Sequence, residues 1–507
     1  MNTPLQHYEA LVEKGQDIYT LKSISTLIGW DQETYMPKNA IGIRSLQKQH
    51  LESLIHKEMT STYLQELLSP LIRLDNGELL KVDGLDLMQQ GAVKEWRKDV
   101  VKAKKLPDLF VEAFAKAASE TVSVWAEAKQ ANDFDSFLPY LEKMVELVRE
   151  KTDYLGYKDH PYDALLEEYE PGMTVEKLDK LFDSLKPFLI NLTKKCKNLS
   201  IQTDFLYGDY NEHKILELDH YLLQSMGFKE GCYRLDASNH PFCVSCHPTD
   251  VRMTTVTKTR DLLAANIFTV LHEGGHGLYE QGLDPSFFGT PICEFLSMGI
   301  HESQSKIWEA FIGQSLPFWT YFYPKLQESF PQNFSNVLLT SFYQAINVVE
   351  PSFIRIYADE VTYSLHVILR YEIEKSLIDG SLQVKDIPHV WNEKMQAYLG
   401  ITPKNHREGC LQDIHWAWGL FGYFPTYVLG NLYAAQLFDS LKKDHPDFKE
   451  KVSQGHLTFI RDWLNEHIHR YGRLYSPDTL IQRATGTPLS EESFKAYLTK
   501  KYIDKKD

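Results

Sequence analysis

The stretch NIFTVLHEGGHGL, residues 266–278, determines how the rest of the chain is interpreted. It contains the pattern H-E-x-x-H, and the apolar residues that precede the first histidine predict a buried helix. Successive helix residues turn by about 100°, so His272 and His276 lie on one face and can bind the same metal ion. Glu273 projects to the side of this pair, where a carboxylate can act as a general base without being a ligand. The stretch therefore predicts a zinc site of the peptidase type.

Two glycines inside the motif support a packed helix. Gly274 and Gly275 each reduce the stability of a helix interior by on the order of 1 kcal/mol relative to alanine. A helix that carries both is expected to need the space, for instance because another backbone approaches it closely.

Composition excludes several classes of function. The formal net charge of -15 disfavours nucleic acid and anionic membranes as partners. A hydrophobic fraction of 43% is that of a globular protein with a large core. Residues 1–19 carry no signal-peptide pattern, so a cytoplasmic location with reduced cysteines is expected. The uncharged run 416–438 contains Pro425 and polar residues, which predicts a buried hairpin, not a membrane helix.

The chain is predicted to be mainly α-helical, with one small pair of strands. Amphipathic helices, for example over 46–56 and 109–129, fill the N-terminal part to about residue 235. Residues 240–246 and 251–257 alternate like a β-hairpin, about 260–375 hold the metal-binding helices, and 376–507 form a helical C-terminal part. No Gly/Ser/Pro-rich linker interrupts the chain, so residues 1–507 are interpreted as a single catalytic unit with a groove between two lobes. The polar and aromatic segment 30–37 is expected to be a loop between helices, with substrate contact as the alternative.

The third metal ligand has two candidates. Glu294 and Glu302 both follow His276, and they stand eight residues apart on what is predicted to be one helix, so spacing does not choose between them. His301, next to Glu302, favours the latter slightly, because polar residues gather where ligands need support.

Arg355 allows two interpretations as well. An arginine buried on an apolar helix face needs a carboxylate partner. Asp359, four residues later in the chain, could supply one in a purely structural ion pair. Alternatively its planar fork binds the terminal carboxylate of a peptide.

The run C-V-S-C-H, residues 243–247, matches a haem-attachment pattern. No exported or thioredoxin-like context surrounds it, and Cys243 and Cys246 are interpreted as small core residues on a strand. They are given no functional role.

Six motifs in order make the chain resemble the carboxypeptidase Taq family of zinc metallocarboxypeptidases. They are H-P-F at 240–242, D-x-R-x-T at 250–254, H-E-x-x-H at 272–276, H-E-S-Q at 301–304, I-R-x-x-A-D at 354–359 and G-x-x-Q-D-x-H-W at 409–416. The segments W-D-Q-E-T-Y-M-P at 30–37 and F-G-Y-F-P-T-Y at 421–427 are also similar to family signatures. The resemblance covers nearly the whole chain.

The resemblance implies a large helical body with a deep active-site groove, a homodimer, and removal of single C-terminal amino acids from peptides with broad specificity. It implies one zinc ion per chain, with cobalt as a substitute, and Glu302 as the third ligand. It favours Arg355 as the anchor of the substrate carboxylate, and it implies that His240, Arg252, His415 and Tyr423 line the site. In the zinc-peptidase mechanism that follows, Glu273 is expected to be the base, and Tyr423 or His415 is expected to stabilise the oxyanion.

Two alternatives remain at this point. One is a zinc oligoendopeptidase that cuts short peptides internally. The other is an interaction protein in which the zinc is structural, which the absence of a cysteine-rich ligand shell disfavours.

Overall fold

The computed structural model describes residues 3–196, 201–238 and 240–504, which form twenty-one α-helices and three strands. The N-terminal helices are α1 (Pro4–Thr34), α2 (Ile41–Thr60), α3 (Thr62–Leu68), α4 (Leu87–Lys105), α5 (Asp108–Ala131), α6 (Phe134–Leu155), α7 (Pro161–Tyr169), α8 (Val175–Cys196) and α9 (Glu212–Met226). The strands are β1 (Tyr233–Ala237), β2 (Cys243–His247) and β3 (Asp250–Thr255). The remaining helices are α10 (Phe268–Gly282), α11 (Met298–Lys306), α12 (Leu316–Ser329), α13 (Pro331–Phe334), α14 (Leu339–Ala345), α15 (Tyr363–Asp379), α16 (Ile387–Leu399), α17 (Pro425–Asp444), α18 (Phe448–Ser453), α19 (Thr458–His467), α20 (Pro477–Thr485) and α21 (Glu492–Tyr502).

The predicted mainly helical fold is confirmed, and two local predictions are wrong. The helices predicted over 46–56 and 109–129 lie inside α2 and α5. The segment 30–37 is not a loop throughout, because α1 continues to Thr34 and the chain turns only afterwards. The run 416–438 is not a hairpin, because Pro425 begins the buried helix α17, a position where its missing N–H costs nothing. No helix in the described ranges is both long and apolar enough to cross a membrane.

The small sheet beside the metal-binding helix has the strand order β1-β3-β2. β2 and β3 form the predicted antiparallel hairpin, with a register irregularity between Ser245 and His247. β1 runs parallel to β3 and was not predicted, although its five residues alternate between apolar and polar. The order leaves β2 at one edge of the sheet.

Two hydrophobic cores divide the body. A small core is built from residues 8–100, in α1, α2, α3, α4 and their connections, and it also includes Ile292. The large core extends from Ala118 to Leu498 and includes the apolar faces of α10, α11, α15 and α17. A groove of about 1280 Å³ runs between them, with residues of α1 and α4 on one wall and of α7, α10 and α11 on the other.

Candidate functional site

The H-E-x-x-H helix brings its two histidines to the groove. A π-helical turn, Leu263–Ile267, leads into α10, and the apolar residues Val270 and Leu271 are buried beneath it. The imidazole rings of His272 and His276 lie 4.8 Å apart, one helical turn from each other. Both side chains line the groove, as the spacing predicts.

Glu302 meets these histidines from the neighbouring helix α11. Its Oε2 lies 3.7 Å from His272 Nε2 and 3.6 Å from His276 Nε2. The three ligand atoms all lie within 4.8 Å of one another, which is a separation that one metal ion can bridge.

Glycines explain how two helices and their ligands fit together. A Cβ at Gly275 would lie 2.6 Å from the Cα of Ser305, and closer still to the carbonyl of Gln304, so α10 and α11 touch through their backbones here. At Gly430, in α17, a Cβ would lie 2.5 Å from Cγ of Glu302. A close approach of another backbone was predicted at the motif glycines, and at Gly275 the backbone of α11 makes it.

Glu294, the competing candidate for the third ligand, lies elsewhere. It is not on a helix with Glu302, because it follows a short 3₁₀ turn that ends at Cys293. Its carboxylate pairs with Lys22 at 2.9 Å and with Arg473 at 2.9 Å, and these cations hold its pKa low against the effect of burial. The premise that both glutamates share one helix was wrong.

Glu309 contacts His272, one of the predicted metal ligands, and was not itself predicted. It lies in a second π-helical turn, Ile307–Ile312, and its Oε2 is 2.7 Å from His272 Nδ1 and 2.8 Å from Lys306 Nζ. Burial alone would raise the pKa of Glu309, but Lys306 and His272 lower it to about 2. When one nitrogen of an imidazole binds a metal ion, a carboxylate hydrogen-bonded to the other nitrogen fixes the orientation of the ring. The spacing of Glu302, Lys306 and Glu309, at intervals of four and three, is the sequence signal that could have identified it.

Glu273 is the predicted general base of the site. Its side chain lines the groove beside the ligand cluster without belonging to it. Burial raises the pKa of Glu273 to about 7, while the neighbouring His272 opposes that rise. A carboxylate with a raised pKa in a groove can accept and return a proton near neutral pH.

Arg355 is buried, but its partner is not the predicted Asp359. Arg355 lies in a 3₁₀ turn, not on an apolar helix, and its Nε and Nη2 donate to Asp413 Oδ1 at 3.1 and 3.0 Å. Its Nη1 donates to the hydroxyl of Tyr363 at 2.9 Å. Asp359 instead accepts the backbone N–H groups of Val361 and Thr362 in the turn that precedes α15.

His415 and Tyr423 flank one loop. His415 Nε2 lies 3.4 Å from the hydroxyl of Tyr427, and its ring is 5.6 Å from that of Tyr423. Burial lowers the pKa of His415 to about 4, although Asp413 opposes this. Tyr423 and Tyr427 both line the groove, whereas His415 and Arg355 lie just behind its wall. Tyr427 also lines the groove, and no specific role was predicted for it.

Arg252 and His240 are placed outside the groove lining. Arg252 pairs with Asp250 at 2.9 Å, and its guanidinium lies 4.5 Å from the ring of Trp30. Arg234 covers the same ring at 4.8 Å, so Trp30 is held between two cations. This contact explains the otherwise unassigned aromatic segment at the end of α1. His240 is exposed, and its carbonyl accepts the hydroxyl of Ser238 at 2.7 Å.

The two strand cysteines form no disulfide. Cys243 lines the groove close to Glu273, and burial raises the pKa of its thiol well above the usual value. Burial also raises the pKa of Cys246, to about 11. Neither thiol is therefore activated, in line with their interpretation as small packing residues.

Comparisons with known proteins identify the family of the chain. The family model described as Carboxypeptidase Taq (M32) metallopeptidase matches residues 10–502. Carboxypeptidase 1 of Bacillus subtilis is 41% identical over 478 residues, 94% of each chain, and thermostable carboxypeptidase 1 of Thermus thermophilus is 39% identical over 99% of each. The crystal structure of the M32 carboxypeptidase from Deinococcus radiodurans has a TM-score of 0.94 at 33% identity, and the match covers 98% of this chain and 99% of that one.

Proposed function

We propose a zinc-dependent exopeptidase mechanism for this chain, which belongs to the carboxypeptidase Taq (M32) metallopeptidase family and is a metallocarboxypeptidase. The observation that carries the proposal is the convergence of His272, His276 and Glu302, with Glu273 beside them in the groove. Two imidazoles and one carboxylate are a ligand set of catalytic zinc sites, which keep a further position open. The residues therefore fit one Zn²⁺ per chain, and the same donors would accept Co²⁺ as a substitute.

Glu273 is the proton carrier in this mechanism. When bound at the three ligands, Zn²⁺ supplies a Lewis acid that polarises the scissile carbonyl and lowers the pKa of a water toward roughly 7. The Glu273 carboxylate accepts the proton of the attacking water and then passes it to the leaving amine. Its burial suits both steps, because burial brings its proton affinity closer to neutral pH.

Tyr423 and His415 are the proposed donors to the developing oxyanion. The Tyr423 hydroxyl belongs to the groove wall, and His415 stands behind it, next to the hydroxyl of Tyr427. Donors that are already aimed at the site where charge develops stabilise the transition state more than the substrate.

Arg355 is the proposed anchor of the substrate's terminal carboxylate. A guanidinium has five N–H groups, and three of them donate to Asp413 and Tyr363. One N–H remains on each terminal nitrogen, which is enough for a carboxylate. An anchor that binds the chain end places the scissile bond one residue away, so the products are single amino acids.

The edge strand β2 provides a way to hold the rest of the peptide. Residues 241–248 line the groove, and β2 is paired on one side only within the sheet. An extended peptide that adds to such an edge is bound mainly through its backbone. Backbone recognition accounts for broad specificity. Direct contact of His240 or Arg252 with substrate stays a prediction, to be tested by substituting each with alanine.

The base is tested by Glu273→Gln, with Glu167→Gln as the matched control, because Glu167 is an exposed carboxylate of the same groove. Glu273→Gln should keep its metal, measured by atomic emission, and lose most of its turnover. Glu167→Gln should keep both. A Glu273→Gln enzyme that turns over normally would assign the base elsewhere.

The anchor is tested with one peptide in two forms, with a free and with an amidated C-terminus. The wild-type enzyme should release the last residue only from the free form, and Arg355→Ala should lose this preference together with most of its activity while retaining metal. Cleavage of the amidated peptide at internal bonds would instead support the oligoendopeptidase alternative.

A homodimer is proposed from the family resemblance, and sedimentation equilibrium of the purified chain tests it. A cytoplasmic location is likewise proposed, and cell fractionation tests it. The interpretation of residues 1–507 as one catalytic unit predicts that no fragment lacking either core retains activity.

A further inference from the structure

Glu374 is a fully buried carboxylate on α15 that the mechanism above does not use. Its Oε1 accepts the indole N–H of Trp416 at 2.7 Å. Its Oε2 accepts the hydroxyl of Tyr162 at 2.5 Å and the backbone N–H of Gly422 at 2.9 Å. A buried carboxylate is costly unless it is hydrogen-bonded, and these three donors satisfy it.

Two of these donors mark the ends of one loop. Trp416 and Gly422 bind opposite oxygens of the same carboxylate, so Glu374 closes the segment 416–422 into a fixed unit. His415 immediately precedes that segment, and Tyr423 immediately follows it. Glu374 therefore holds the Trp416 side chain next to His415 and the Gly422 backbone next to Tyr423, the two residues proposed to stabilise the oxyanion.

The backbone at Gly422 is adapted to this contact. Its φ of +91° is a conformation that favours glycine, and a Cβ there would lie 2.9 Å from Cβ of Leu165 in α7. At the other end, the ring of Trp416 stacks on Phe421 with centroids 6.2 Å apart. The loop is thus held by packing at both ends, and Glu374 supplies the polar contact that joins them.

We propose that Glu374 is a positioning residue of the carboxypeptidase reaction, which fixes the 416–422 loop so that His415 and Tyr423 present their donors to the oxyanion. This inference rests on the oxyanion role given to those two residues under the proposed function. Glu374 itself lies outside the groove lining and is not expected to touch substrate.

The variant Glu374→Gln tests this positioning role with little change in volume. One oxygen of the carboxylate becomes an NH₂ group, which then faces an N–H or O–H donor and cannot accept from it. A displacement of about 1 Å at catalytic groups can cost about 100-fold in rate, so kcat should fall about 10- to 100-fold. KM and metal content should stay within twofold of wild type, because Asp413 and Tyr363, the hydrogen-bond partners of the Arg355 side chain, lie outside the 416–422 loop and the proposed metal ligands lie on α10 and α11.

Glu372→Gln is the matched control. Glu372 lies on the same helix two residues earlier and is bound by Lys186, Lys394 and Tyr398, away from the loop. The same chemical change there should lower kcat less than about threefold, since it weakens helix packing without moving the loop. Equal losses of kcat in both variants would mean that α15 is merely structural, and would overturn the proposal.

A double-mutant cycle decides whether Glu374 acts through the two donors. In a Tyr423→Phe/His415→Ala background, adding Glu374→Gln should lower kcat by less than about threefold. A full 10- to 100-fold further loss in that background would overturn the inference. If Tyr423→Phe/His415→Ala itself keeps wild-type kcat, the oxyanion role fails and the inference falls with it. If that variant is slow but Glu374→Gln alone is normal, only the inference fails.

A second variant covers the case in which Glu374→Gln does not fold. Trp416→Phe removes the N–H donor to Oε1 and retains an aromatic ring, so it should lower kcat in the same direction with KM unchanged. Tyr162→Phe removes the one donor outside the loop and should change kcat less than Trp416→Phe does. The reverse order would overturn the proposal.

Discussion

Asp219 provides a stability test that does not depend on catalysis. This residue of α9 is completely buried, and its Oδ2 accepts from Asn266 Nδ2 at 3.0 Å, immediately before the metal-binding helix. Within the described part of the chain, Oδ1 of Asp219 and Oδ1 of Asn266 both lack a hydrogen-bond partner. Burial raises the pKa of Asp219 from 3.8 to about 7, against the opposing effect of the Asn266 hydrogen bond.

The change in folding stability with pH follows from this difference in pKa. The unfolded chain releases the Asp219 proton near pH 3.8 and the folded chain only near pH 7, so the folded state binds the extra proton between these values. Stability is therefore lost as pH rises through this window, and the loss is complete above it. About three pKa units at 1.36 kcal/mol each give roughly 4 kcal/mol.

Asp219→Asn should remove this loss. An asparagine stays neutral, and its amide can donate to Asn266 Oδ1 while its oxygen keeps the existing hydrogen bond. At about 2.1 cal/mol/K of unfolding entropy per residue, a chain of 507 residues gains roughly 4 °C in Tm from roughly 4 kcal/mol. Between pH 5 and pH 8 only the two pH units from 5 to 7 are crossed, which is roughly 2.7 kcal/mol, so the variant's Tm advantage over wild type should grow by roughly 2–3 °C.

The assay is thermal unfolding of both proteins across pH 5 to 8.5, compared as the difference in Tm at each pH. Asp209→Asn, at a side chain that is 98% exposed, controls for the loss of one negative charge. A difference in Tm that stays flat across this range, or an Asp219→Asn protein less stable than wild type at pH 8, would refute the reasoning.

Three further predictions concern the packing around the site. Gly275→Ala should lose bound metal, measured on the purified protein, because its Cβ collides with the backbone of Ser305, whereas Gly42→Ala, at an open position, should not. Asp413→Asn leaves two buried guanidinium groups without a carboxylate and should destabilise the fold by about 3–5 kcal/mol in denaturant unfolding. Trp30→Leu removes two cation–π contacts and should cost about 1–2 kcal/mol in the same measurement.

The metal-binding helix could be predicted from sequence because everything that defines it is local. The spacing of His272 and His276, and the apolar residues before them, fix one helix face without reference to the rest of the chain. Gly275 predicted a close neighbour because a glycine destabilises a helix interior, but the sequence did not identify that neighbour as α11.

Long-range partners could not be predicted in this way. Helical spacing offered Asp359 as one of two partners for Arg355, but a 3₁₀ turn at 355–357 removes that geometry, and the carboxylate comes from Asp413, 58 residues later. Glu294 and Glu302 were indistinguishable because one helix was assumed to carry both, and the chain bends between them instead. In each case the deciding contact joins segments whose relative placement depends on the packed core.

The charges around the metal ligands explain why Lys306 is buried so close to a cation site. The carboxylates of Glu273, Glu302 and Glu309 contribute three formal negative charges, and Lys306, which is 2.8 Å from Glu309 and 3.8 Å from Glu302, contributes one positive charge. The two histidines would bind a metal ion as neutral imidazoles, and a divalent ion would then balance the remaining formal charge of -2. Without Lys306, the same ion would leave one carboxylate buried and uncompensated, which is costly in a site of low dielectric. Lys306 therefore pairs with Glu309 while Glu309 orients His272, and its positive charge opposes the rise in the pKa of Glu273 that burial causes.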